Sequence, residues 1–179
     1  METNVPKNLA QATMHKDFFD RCSIAIENEY YLEAIFMEYA ALEGRLEVLL
    51  GVLGASCNNK LPDNERNKIQ ISHRVSCFKN LFKNQDLFGK SKLNGAFFRR
   101  LEKWISLRNG YIHGLYKNEV KYKKRMKDRA FAIEGLALCG ELYNEVNRIK
   151  RLRKKSPELF YNINFCSSKS CEYHSVFAN

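Results

Sequence analysis

Residues 31–53 read YLEAIFMEYAALEGRLEVLLGVL, and within them Leu32, Ile35, Tyr39, Leu42, Leu46, Leu49 and Leu53 recur at alternating steps of three and four. An α-helix turns once every 3.6 residues, so this spacing lines seven side chains along one face and predicts a helix. A second apolar stripe, Ile26, Tyr30, Ala34, Met37, Ala41 and Val48, runs beside the first. A helix apolar on two sides must be covered on both, by other helices or by a second subunit, which makes this the expected central helix.

Working outward, Gly51, Gly54, the polar run 56–59 and Pro62-Asp63-Asn64 carry turn chemistry and end that helix. Ile71, Val75, Phe78 and Phe82 resume the helical spacing, and residues 84–89 stop it. From Lys92 onward Leu93, Phe97, Leu101 and Trp104 form a third stripe, leaving Arg99, Arg100 and Lys103 to face water or a ligand. A last helical stretch is expected from about Glu119 to Leu152, with Leu136, Cys139, Tyr143 and Val146 on one face and Gly135 and Gly140 as points where it can bend. Only Phe160 to Phe165 offers material for a strand. The expected class is all-α, an up-and-down bundle of four to five helices over residues 1–155, with residues 156–179 as a tail that is either packed on it or flexible.

Thirty Lys and Arg against twenty Asp and Glu give a net charge of +10. That excess favours a polyanionic partner, because basic side chains steer phosphates and release their condensed counterions, although a merely solvated basic surface carries the same charge. No stretch resembles a signal sequence or reaches the length of a membrane span, so the expectation is a soluble, cytoplasmic protein with no membrane partner. Cys22, Cys57, Cys77, Cys139, Cys166 and Cys171 include several at apolar helical positions, where a reduced thiol serves as a small hydrophobe. Cys166, Cys171 and His174 supply three ligands for a tetrahedral zinc site that needs four, with His15 or Cys22 as conceivable fourth ligands; a packed or frayed tail is the reading adopted, and no metal is expected.

A glycine-rich phosphate loop, a paired-histidine metalloprotease helix and a nucleophilic serine elbow are all missing from the sequence, so no cofactor is expected. Chemistry is concentrated instead at Ser106-Leu107-Arg108-Asn109-Gly110-Tyr111-Ile112-His113-Gly114, which sets a permanent cation five residues before an imidazole and whose two glycines are expected to interrupt the helix. Arginine presents donors that match phosphate, and histidine exchanges a proton near neutral pH, a combination suited to phosphodiester cleavage. Helix capping by Arg108, with His113 as a polar turn residue, fits the same spacing.

Arg108, four residues and then His113, with polar Asn109 directly after the arginine, resembles the Arg-x4-6-His signature of the HEPN superfamily. Glu38-Tyr39-Ala40-Ala41-Leu42-Glu43-Gly44-Arg45-Leu46 is similar to that family's long central helix, and the resemblance spans roughly residues 20–152. It implies a metal-independent endoribonuclease working as a homodimer, in which two copies of the motif face one another across a shared cleft. His113 would then exchange a proton with the ribose 2′-hydroxyl or the 5′-oxygen, and Arg108 would stabilise charge on the phosphorane. Asn109 would orient Arg108 or contact phosphate, and Tyr116 would place substrate or simply pack as an aromatic. One HEPN group carries a modifiable tyrosine two residues after the histidine; Leu115 stands there in this chain.

Lys121, Lys124 and Arg125 follow the motif and are candidates to guide an RNA backbone, although a solvated surface accounts for them equally. The basic run 148–155 is open to the same two readings. Glu38, Glu43 and Glu47 lie on the central helix, one of them available to pair with Arg108 or all of them solvated. The expected function is a HEPN-type ribonuclease of a toxin–antitoxin, stress or phage-defence system, with an antitoxin or regulatory protein as a further partner. The alternative is a non-catalytic HEPN-like module that binds RNA, nucleotide or a protein.

Overall fold

The computed structural model describes residues 7–53, 91–115 and 128–160, together with residues 71, 75, 78 and 79. These hold four α-helices, α1 (Lys7–Glu27), α2 (Tyr31–Val52), α3 (Gly95–Leu115) and α4 (Arg129–Lys155), followed by a 3-10 turn at Pro157–Phe160. No strand occurs among them, so the chain is all-α as its periodicity requires, and Phe160 closes the 3-10 turn instead of opening a strand. Residues 71, 75, 78 and 79 are helical too, with Ile71, Val75 and Phe78 buried.

The stretch expected as a single central helix is two. Its second stripe counted Ile26 and Tyr30 with residues that follow, yet Ile26 belongs to α1 and the chain turns at residues 28–30. Tyr30 N donates to Ala25 O (2.7 Å) and Glu29 N to Ile26 O (3.2 Å), with Glu29 at φ 62°. Those paired bonds form a Schellman closure, which places its penultimate residue in the left-handed region that glycine prefers. A glutamate in that role left no turn signal in the sequence.

Asn94 starts α3, its side-chain oxygen accepting from Ala96 N (2.9 Å) and Phe97 N (3.1 Å) and so satisfying two of the helix's free amides. Asp128 does the same for α4 through Phe131 N (3.0 Å), so that helix begins at Arg129 and not near Glu119. At the other end of α2, Arg153 Nη1 donates to Gly51 O (2.8 Å) and also to Val52 O, a cation on the negative end of the helix dipole.

The contacts fix the helix directions. Along α2 and α4, Glu38 O meets Cys139, Arg45 meets Tyr143 and Gly51 meets Arg153, so the two helices run parallel. Between α3 and α4, Arg100 meets Glu141 while Tyr111 meets Asp128, so that pair is antiparallel. α1 folds back on α2 through the Schellman turn, giving the alternating order of an up-and-down bundle.

Leu42, Leu46 and Leu49 of α2, Phe97, Leu101 and Trp104 of α3, and Leu138, Leu142 and Val146 of α4 form one continuous core. Each contributes about 1.5–3 kcal/mol by leaving water. Trp104 stacks on Phe131 at 5.2 Å and donates its indole N–H to Phe131 O (3.1 Å), which satisfies its single polar atom.

Glu38, expected among solvated acids or as a partner for Arg108, lies in this core at 0% exposure, and neither carboxyl oxygen has a hydrogen-bond partner. Burial pushes it up to about 9, so at neutral pH it is a neutral acid. Gly135 makes room for it: a Cβ there would overlap the Glu38 carboxyl and come within 2.7 Å of Trp104 Cζ2. The glycine expected to bend α4 serves instead to bring α2 and α3 close to an unbroken helix.

Candidate functional site

The motif does not interrupt a helix. α3 continues through Gly110 to Leu115, so Arg108, Asn109 and His113 occupy its last two turns. Gly110 lies inside the helix, and Tyr111 holds that end down. Its ring packs on Phe131 at 4.9 Å and its hydroxyl donates to Asp128 Oδ2 (3.0 Å).

Arg108 is half-buried where α3 crosses α2. Its guanidinium carbon sits 3.9 Å from the centre of the Tyr39 ring and 5.5 Å from that of Phe36, both on α2. Nη1 donates to Asn109 Oδ1 (3.2 Å), while Nε is buried without a hydrogen-bond partner. Among the described residues no carboxylate pairs with it. Arg100 differs: expected to face water or a ligand, it is held by Glu134 (2.8 Å) and Glu141 (2.9 Å).

His113 is exposed. It lies five positions after Arg108, about 7.5 Å along the helix and about 140° around it, so the two side chains do not share a face of α3. Phe36 and Leu107, at 42% and 47% exposure, add apolar surface next to Arg108. Tyr116, Lys121, Lys124 and Arg125, proposed from the sequence to bind substrate, lie outside the described residues, as do Cys166, Cys171 and His174. Cys22 and Cys139 are free thiols in the interior, and burial raises Cys22 to about 12, which makes both poor nucleophiles.

A second concentration of chemistry went unread in the sequence. Between α1, α2 and α4 lies a cleft of about 530 Å³ whose polar residues are His15, Arg45, Tyr143 and Lys150. Arg45 is only 9% exposed, bonds the His15 ring and lies 4.4 Å over the Tyr143 ring. Desolvation lowers the pKa of Arg45, His15 and Lys150, and their mutual repulsion adds to the effect on His15 and Lys150. The available signal was positional: Glu38 and Arg45 both fall on the three-and-four row that carries Ile35, Leu42 and Leu49. Charges on that row must be buried whatever their type.

Three members of the basic run 148–155 have distinct placements. Arg148 pairs with buried Glu145, Arg153 caps α2, and Lys150 lies at the cleft. Among the described residues no cluster of histidine, cysteine or acidic side chains suits a metal ion, and no helix is long and apolar enough to cross a membrane. Compared with known proteins, the chain matches no family model, no curated protein and no solved structure.

Proposed function

We propose that this chain is a HEPN-type, metal-independent endoribonuclease, acting on RNA in the cytoplasm at a composite site between two copies. Its setting is a toxin–antitoxin, stress or phage-defence system, with an antitoxin or regulatory protein restraining it. The observation that supports this reading is the state of Arg108. Arg100 and Arg148 are neutralised by carboxylates, whereas Arg108 is braced on Tyr39, its Nε buried without a hydrogen-bond partner and no acid among the described residues beside it. A half-desolvated guanidinium without an anion favours a phosphate.

In this mechanism the ribose 2′-oxygen attacks the adjacent phosphorus while a base takes its proton. The 5′-oxygen leaves with a proton from an acid, giving a 2′,3′-cyclic phosphate and a 5′-hydroxyl. His113 serves as base or acid, and Arg108 faces the charge that builds on the phosphorane. Because Arg108 and His113 diverge around one helix, a second copy is needed to bring one motif's imidazole to the other's guanidinium. The exposed Phe36 and Leu107 beside Arg108 suit such a contact.

The same divergence also favours a second reading, a non-catalytic HEPN-like module that binds RNA, nucleotide or a protein. Incubation with end-labelled RNA in EDTA separates the two. The nuclease yields cyclic phosphate ends and spares a substrate with 2′-deoxyribose at the cut; a dimer that retains RNA uncut leaves the binding module.

A further inference from the structure

The cleft between α1, α2 and α4 is distinct from the α3 motif and divides into two chemistries. His15, Arg45 and Tyr143 are in mutual contact, and Lys150 lies close enough to depress the protonation of His15 and be depressed by Arg45 in turn. Phe18, Phe19, Met37, Ala40 and Ala41 form the apolar part, with Phe18 and Phe19 edge to face at 5.1 Å and Phe19 leaning on Tyr143 at 6.1 Å. On α2, Met37 precedes Arg45 by eight residues, about 12 Å of helix, so the cleft is elongated with its cations gathered towards one end.

Among the described residues those cations lack a counter-charge. Arg45 bonds only a base, His15, and no acid among the described residues pairs with Arg45 or Lys150. Gathering three basic groups in a partly desolvated space costs free energy that a bound anion recovers. The adjoining surface hollow, lined by Lys92, Asn144, Asn147, Lys150 and Arg151, extends the same positive field outward.

We infer that this cleft binds a small amphipathic carboxylate, its head group on Arg45, His15 and Lys150 and its hydrocarbon body along Phe18, Phe19 and Met37. The planar guanidinium matches the two carboxylate oxygens, and a cleft of about 530 Å³ lies in the range of small-molecule sites. A medium-chain fatty acid has the required length and single charge.

Calorimetric titration of the full chain with decanoate, kept below its micellar range, tests this against decanol and acetate. Decanoate binds; decanol and acetate each bind at least about tenfold more weakly, since one lacks the charge and the other the body. Arg45→Met weakens decanoate about ten- to a hundredfold, the loss expected for a charge-assisted bond. Ala41→Phe, which fills the cleft from α2, abolishes binding while Arg45 stays in place. In wild type, decanoate shifts the NMR signal of the Met37 methyl group. Equal affinity for decanol, an Arg45→Met chain that binds as wild type, or an unmoved Met37 signal overturns the assignment.

Discussion

Arg45 and Arg108 are placed alike and situated differently. Each lays its guanidinium over a tyrosine of another helix, at 4.4 Å from Tyr143 and 3.9 Å from Tyr39, and neither has a carboxylate among the described residues. Stacking on an aromatic face holds a cation without neutralising it. Around Arg45 one chain provides everything else, a second base, a lysine and an apolar cleft. Around Arg108 one chain provides Asn109 and an open apolar margin, with His113 turned elsewhere. The proposed carboxylate site draws all its groups from a single chain; the proposed nuclease site would gain its histidine only when another chain arrives.

The largest expected effect bears on the open site. Arg108→Ala lowers RNA cleavage about a hundred- to a thousandfold, the usual loss for one stabiliser of transition-state charge, and His113→Ala lowers it at least as far. Melting curves of both variants stay near wild type, because neither side chain belongs to the core. Mixing the two inactive variants sharpens the comparison: heterodimers regain cleavage if the site is shared between chains, and regain none if each chain works alone.

Next come the residues that separate the two sites. Gly135→Ala pushes a methyl group into Glu38 and Trp104 and destabilises the bundle by about 1–3 kcal/mol in urea titration. Glu38→Met removes a buried acid without partners and stabilises by a similar amount at neutral pH. The pH dependence discriminates between packing and charge. A carboxyl raised in the folded state from its ordinary value near 4.5 to about 9 adds stability that is complete below pH 4.5 and lost as pH rises through 9. Wild type therefore loses stability across that window, Glu38→Met loses less, and the gap between them is wider at pH 8 than at pH 5.

The smallest effect is local. Glu29→Gly relieves a left-handed backbone and stabilises by about 1 kcal/mol, read as a rise in melting temperature. It lies outside both sites and should alter neither RNA cleavage nor decanoate binding.

The bundle was legible wherever burial follows periodicity. The stripe Leu93, Phe97, Leu101 and Trp104 is buried throughout, as are Ile71, Val75 and Phe78. Two features escaped because periodicity reports which face a residue occupies but not what covers it. The break at residues 28–30 is made by backbone hydrogen bonds around a glutamate, so no glycine or proline announced it. Glu38 and Arg45 sit on the apolar row, where polar type suggested solvent and position required burial. At the motif, residue types alone proposed a site, but they carried no information on the 140° that separates Arg108 from His113 around a continuous helix.

Asp128 joins the last turn of α3 to the first turn of α4, one oxygen receiving the Tyr111 hydroxyl and the other the Phe131 amide. With the two helix ends fastened to each other, their geometry does not depend on the length of chain that links them. Losing that one carboxylate would release the motif-bearing end of α3 and the start of α4 together.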